Sequence, residues 1–201
     1  VYGVPSNAST ALKQLEGKRN IAEIGYSLSF DNLDNPIMPT NGMSFGFSQD
    51  FSGGDVSYLS TEFSGDYFHD FNKDLIGSLS MEAGHIFALN SDKDVLISQA
   101  FMEPGSILRG FGPRGISPRL HPDYANSNKE AVGGNTYLKS SAEINFPIPG
   151  LSDNYGVRGG LHLNAATLYG SDLVTDPVVN DSSTLRSSAG ASIFWESPIG
   201  L

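Results

Sequence analysis

The sequence contains no cysteine, which excludes a disulfide framework and thiolate-held metals but fits a reducing cytosol and many bacterial envelope proteins equally well. No stretch approaches the ~18 to 20 consecutive apolar residues that a membrane-spanning helix requires, so a helical membrane protein is excluded. Basic residues are scarce, 12 against 22 acidic ones, for a net charge of −10. Phosphate binding needs a clustered basic face and none is present, so nucleic acid is not an expected partner. The four histidines, His69, His85, His121 and His162, show neither HExxH nor i, i+4 spacing, and no GxSxG elbow presents a serine. "FSGGD" (51 to 55) has no helix signal behind it and does not make a phosphate loop. Asp31, Asp34 and Asp50 are read as turn residues, where Asp favours local backbone bonding. No catalytic residue, metal or cofactor is expected. The chain starts at Val1 without an initiator Met, a basic start or an apolar signal core, and stops at Ile199-Gly200-Leu201 in a turn-like stretch; this reads as an internal fragment.

What is present is period two. In "AEIGYSLSF" Ile24, Tyr26, Leu28 and Phe30 alternate with Gly25, Ser27 and Ser29, and "GMSFGFSQDF" continues with Met43, Phe45 and Phe47. "LIGSLSMEAGHIFAL" sets Leu75, Leu79, Met81 and Ala83 against Ser78, Ser80, Glu82 and Gly84. "SYLSTEFSGDYFHD", "NTYLKSSAEINFPI", "YGVRGGLHLNAATLYG" and "STLRSSAGASIFWESPIG" share this two-faced character, which predicts seven antiparallel strands. Their length, roughly 10 to 14 residues, exceeds the 5 to 6 of an ordinary globular strand and suits a tilted strand crossing a bilayer. Mean hydropathy is slightly negative, as spanning strands that alternate lipid-facing and water-facing residues should be. The only helix-like patch lies in residues 1 to 17.

Alternation alone does not separate a membrane barrel from a soluble β-sandwich with one solvated face. The connections discriminate better. One set is compact, at 31 to 42, 69 to 74, 147 to 156 and 197 to 200; the alternate set is longer, at 89 to 134 and 170 to 183, although 52 to 55 breaks the trend. Short turns at one end and long loops at the other mark outer-membrane barrels. Tyr26, Phe30, Phe51, Tyr67, Phe68, Phe71, Phe146, Tyr169 and Trp195 lie near strand ends and suit interfacial girdles; each also suits an ordinary core.

One segment does not fit a solvated loop. "SILRGFGPRGISPR" (106 to 119) carries turn-forming glycines and prolines, yet holds Leu108, Phe111 and Ile116 among three arginines. Leu108-Arg109-Gly110-Phe111 resembles the (V/I/L)RG(F/Y) motif of the BamA-like outer-membrane β-barrel assembly family, the bacterial surface antigens. "SLSFDNLDNPIMPTNGMSFGFSQDF" is similar to that family's strand, turn and strand, and "GGNTYLKSSAEINFPIP", "GLHLNAATLYG" and "LRSSAGASIFWESPIG" are similar to its later strands. The likeness runs from about residue 20 to the end and is greatest to α-proteobacterial forms.

The resemblance implies an all-β, antiparallel, up-and-down transmembrane barrel, of which residues 1–201 form a part. That part corresponds to about strands eight to fourteen of a sixteen-stranded barrel, without the POTRA repeats and the final strands. It further implies that the loop at about 89–134 folds into the lumen, where Arg109 meets acidic wall residues. An unpaired desolvated guanidinium costs several kcal/mol and a carboxylate satisfies it. Glu143 occupies the matching wall position, and Asn164 stands where the family has a second carboxylate, offering an oxygen without charge. Gly110 permits close approach to the wall, Phe111 is expected in a lumen pocket, and Arg114 and Arg119 are expected to shape the loop or face solvent. The implied function is non-enzymatic folding and insertion of β-barrel proteins into the outer membrane of a Gram-negative bacterium. Its partners would be unfolded barrel clients, assembly-machine lipoproteins and outer-membrane lipid. Rival readings are a two-partner secretion or TamA-like pore of the same superfamily, an outer-membrane enzyme with a Ser–His pair on the outer wall, and a soluble β-sandwich.

Overall fold

In a computed structural model the described residues form a short helix, α1 (Thr10–Lys13), and nine strands: β1 (Ile21–Asp31), β2 (Gly42–Gly54), β3 (Tyr58–Asn72), β4 (Leu75–Ala88), β5 (Arg119–Leu120), β6 (Thr136–Pro147), β7 (Val157–Tyr169), β8 (Val178–Val179) and β9 (Arg186–Trp195). The structure describes residues 3–4, 8–72, 74–89, 95–102, 108–121, 130–152, 155–172 and 177–195. Seven long strands make one antiparallel sheet in the order β1-β2-β3-β4-β6-β7-β9, and β5 pairs with β8 in a separate two-stranded sheet. Its two edge strands, β1 and β9, do not pair with each other, so the sheet is not closed. No helix among the described residues is long and apolar enough to cross a membrane, which says nothing about crossing by strands.

Register explains the two faces, because partners directly opposite each other point the same way. Leu28 faces Phe47, Phe47 faces Phe63, Phe63 faces Ala83 and Ala83 faces Leu138. These belong to an apolar face whose large side chains stay exposed, from Ile24 at 73% in β1 to Ile193 at 75% in β9. A soluble sandwich would bury that face against a second sheet, whereas here the described loops pack on the opposite, polar face. There Tyr58, Ile86, Tyr137, Ala166 and Leu168 share the parity of the polar residues, yet are buried under the loop segments that follow β4. The core therefore lies between the loop and the loop-side end of the polar face.

The short-turn end is built from local side-chain bonds. Asp31 Oδ1 accepts the Leu33 amide at 2.8 Å, and Asp34 Oδ1 accepts the amides of Thr40 and Asn41 at 2.9 and 3.0 Å. Asp34 Oδ2 also takes the Thr40 hydroxyl at 2.6 Å. That bond, with the two amide bonds, holds the Asp34 carboxyl well below its ordinary value, at about 2. Gly42 closes this turn at φ +111°, where a Cβ would stand 2.6 Å from the Asn32 carbonyl oxygen.

Four expectations change. The stretch at 52 to 55 is mostly strand and not a connection, since Ser52, Gly53 and Gly54 pair with β1. Asp50 is not in a turn: β2 runs on to Gly54, and Asp50 sits mid-strand opposite Gly25, whose missing side chain makes room for its carboxylate. The compact stretch at 69 to 74 is mostly strand, since β3 continues to Asn72 through an irregularity between Asp70 and Asn72. Phe68 has the parity of Asp66 and faces the polar side, lining a cavity of about 260 Å³ with Ile76, Arg158 and Phe194, so it cannot serve an outward girdle. The pairing of β5 with β8 had no expectation attached, because two-residue strands are too short to show a period.

Candidate functional site: the Arg109 loop and its wall

The site is a sequence of tight turns pinned at both ends by apolar side chains. The Leu108 carbonyl accepts the Phe111 amide at 3.1 Å, Gly112 accepts Gly115 at 2.8 Å, and Arg114, at φ +53°, accepts Ser117 at 3.3 Å. Arg119 Nη2 donates to the Arg114 carbonyl at 2.7 Å and so shapes the loop. Leu108 and Ile116 are buried with Tyr137 of β6 and Ala166 and Leu168 of β7, and Phe111 packs partly against them. Burying such side chains is worth about 1.5–3 kcal/mol each. The anchors thus hold a polar tip flat on the sheet.

From this tip Arg109 reaches the wall. Its Nη1 forms an ion pair with Glu143 Oε2 of β6 and lies 3.4 Å from Ser192 Oγ of β9. The Glu143 side chain is only 9% exposed and that of Arg109 is 43% exposed. A carboxylate so removed from water needs a cation, while the guanidinium remains half solvated. The Arg109 main chain is held separately: Ser188 Oγ of β9 donates to its carbonyl at 2.5 Å. Gly110 sits at φ +88°, and a Cβ there would stand 2.9 Å from Ser188 Cβ. Both a left-handed backbone and a close approach therefore demand glycine at this position.

Asn164 does not join the guanidinium. It is buried, and its Nδ2 donates to Ser188 Oγ at 3.4 Å, so it reaches the Arg109 carbonyl only through that hydroxyl. An amide lacks the charge that would compete for Arg109, and it orients a serine instead. Ser188 and Ser192 carried no signal beyond their place on a polar face, because a serine in such a row looks alike whether it meets solvent or a loop.

A family model of the Omp85 superfamily domain matches residues 3–201. The chain belongs to the Omp85 superfamily. Among curated relatives, the outer membrane protein assembly factor BamA of Neorickettsia risticii, an α-proteobacterium, is 31% identical over the whole of this chain and 26% of its own length. BamA of Neisseria meningitidis is 26% identical over 85% of this chain and 24% of its own. This Omp85 chain therefore spans about a quarter of each. A crystal structure of BamA from Haemophilus ducreyi lacking POTRA domains 1–3 superposes with a TM-score of 0.74 at 24% identity, over 89% of this chain and 37% of that one. That likeness establishes the barrel-type fold.

The histidines of this Omp85 chain are dispersed. His69 lies between the rings of Tyr67 and Phe71, and His85 Nδ1 is 2.8 Å from Thr136 Oγ1, both on the apolar face. His162 Nδ1 is 3.0 Å from Ser192 Oγ. This Ser–His contact is on the polar face beside Arg109, not on the outer wall where a membrane-embedded hydrolase would need it. Among the described residues no three metal-binding side chains converge.

Proposed function

We propose that this Omp85 chain is a stretch of the membrane barrel of an outer-membrane protein assembly factor, which folds and inserts β-barrel proteins without enzymatic chemistry. The observation that carries the reading is a loop clamped to a largely shielded carboxylate on the polar face of a sheet whose opposite face is apolar and exposed. Strands of 10 to 15 residues are long enough to cross a bilayer at a tilt, and an apolar exterior with a polar interior is the arrangement of an outer-membrane barrel. On this reading the chain resides in the outer membrane of a Gram-negative bacterium. The loop segment that carries Arg109 lies in the lumen, and Arg109, paired to Glu143, braces the wall from within. The relatives' description as outer membrane protein assembly factors supports the activity. The partners would be unfolded barrel clients, which add strands by edge pairing, assembly-machine lipoproteins, and outer-membrane lipid.

The test is Arg109→Glu in the full-length protein, expressed in cells depleted of the native copy. Folded barrel clients in the outer membrane should fall and growth should slow. Normal client levels, with the variant present at native abundance, would overturn the brace.

A further inference from the structure

The arginine is not the loop's sole attachment, and a second one sits in a row of three residues that belong to no motif. Glu62 of β3 lies opposite Gly84 of β4, and Gly84 lies opposite Tyr137 of β6. All three have the parity of the polar face. Strands are about 4.8 Å apart, so Tyr137 and Glu62 are separated by roughly twice that distance. The tyrosine spans the gap by lying across the glycine, and its hydroxyl donates to Glu62 Oε2 at 2.9 Å. Any side chain at Gly84 would forbid this: a Cβ would overlap Tyr137 Cε1 and stand 2.9 Å from Phe101 Cζ.

Phe101 connects this row to the loop. Its ring meets Tyr137 edge-on, with centroids 4.7 Å apart and planes at 80°. Its amide and carbonyl both bond to Gly134, at 3.0 and 2.9 Å, which joins the outgoing and returning arms of the loop at one point. Gly133, at φ +78°, lets them meet, since a Cβ there would stand 2.7 Å from the Phe101 carbonyl oxygen. Tyr137 also packs with Leu108 and Ile116, the two residues that flank the Arg109 tip. One buried ring thus adjoins both the stem and the tip.

We propose that Tyr137 is a positioning residue for the loop: seated over Gly84 and bonded to Glu62, it fixes the height of the Phe101 stem and so delivers Arg109 to Glu143. The proposal deepens the brace reading and rests on it for its functional consequence. It assigns Gly84 the role of leaving room, and Glu62 that of receiving the hydroxyl.

The experiment uses the full-length protein in outer-membrane vesicles, with a single cysteine at Ser117, which is 1% exposed. Two readouts are taken, the rate of maleimide labelling and the rate of client assembly, and only variants that remain folded barrels by heat-modifiable mobility are compared. Tyr137→Phe should raise labelling about tenfold, the equivalent of one hydrogen bond to a charged group, and Gly84→Ala should raise it further. Glu62→Gln, which keeps an acceptor oxygen but loses the charge, should fall between the parent and Tyr137→Phe. Adding Glu62→Ala to Tyr137→Phe should change nothing more. Client assembly should fall in the same order. Parental labelling in Tyr137→Phe would overturn the proposal, as would additive effects in the double variant. If Gly84→Ala does not fold, Tyr137→Phe decides alone. Should labelling respond while Arg109→Glu leaves assembly intact, Tyr137 positions the loop but the brace reading fails; should Arg109→Glu impair assembly while labelling ignores Tyr137, only the positioning role is lost.

Discussion

Reversing both charges of the Arg109–Glu143 pair is the sharpest probe of the loop, because the two partners differ in exposure and the cost can be bounded from either side. At an effective dielectric of about 20, unit charges 4 Å apart attract by about 4 kcal/mol. Arg109 is 43% exposed, and solvent screening brings such a pair toward the 0.2–1 kcal/mol typical of surface bridges. Glu143 is 9% exposed, and stripping a buried carboxylate of its cation costs about 3–5 kcal/mol. The structure lies between these limits, which gives about 2 kcal/mol for Arg109→Ala, or roughly 30-fold in the closed-to-open ratio of the loop. Arg109→Glu should cost more, because two carboxylates then share one site. The double variant Arg109→Glu with Glu143→Arg restores opposite charges and should recover at least half of the loss.

The assay is client assembly by full-length protein in proteoliposomes for all four members of the cycle, with amide exchange of the turns at 108–117 reporting loop release directly. The single variants should expose these amides and slow assembly. The swap should reverse both effects. Additive losses, within the 0.3–0.5 kcal/mol expected of independent sites, would refute direct pairing. A swap that restores exchange protection but not assembly would separate the clamp from its function.

Other outcomes follow from single contacts. Leu168, fully buried beneath the loop, should cost about 2–5 kcal/mol on replacement by Ala, seen as faster exchange of the 108–117 amides; an unchanged rate would show that the loop core does not hold the tip. Gly110→Ala should cost about 1–2 kcal/mol for its left-handed backbone, plus the displacement of Ser188, and should impair assembly even though no charge changes. Ser188→Ala removes the bond to the Arg109 carbonyl and should cost about 1 kcal/mol, a small loss that Asn164→Ala should reproduce if the amide acts only through that serine. For Asp34 the folded pKa is about 2, below its ordinary 3.8. The carboxylate therefore supports its turn fully above the ordinary value, and the support is lost as pH falls toward 2. Protection of the Thr40 and Asn41 amides should decline through that window, and Asp34→Asn should abolish the dependence; an identical decline in the variant would clear Asp34.

Much of the architecture was legible because the strand period is two and each long strand carries enough residues to show it. Parity alone set Leu28, Phe45 and Phe47 on one face and Ser27 and Ser29 on the other, as the register confirms. Its failures are local. Phe68 was read outward because an aromatic near a strand end looks the same on either face, and Asp50 was read as a turn residue because nothing in the sequence announces the glycine across the sheet that accommodates it. Asn164 was set beside Arg109 by likeness to a carboxylate; geometry gives it to Ser188.

The sequence by itself determined the two-faced character of the seven long strands, which follows from local periodicity; a pairing of Arg109 with an acid on the polar face was implied only by the family resemblance. Only the tertiary structure decided which hydroxyls hold the Arg109 backbone, why the amide at 164 turns to Ser188, and how Tyr137 crosses Gly84 to Glu62. Those contacts join residues from 24 to 79 positions apart, and their geometry is fixed by sheet register and the absence of single side chains, neither of which leaves a period to read.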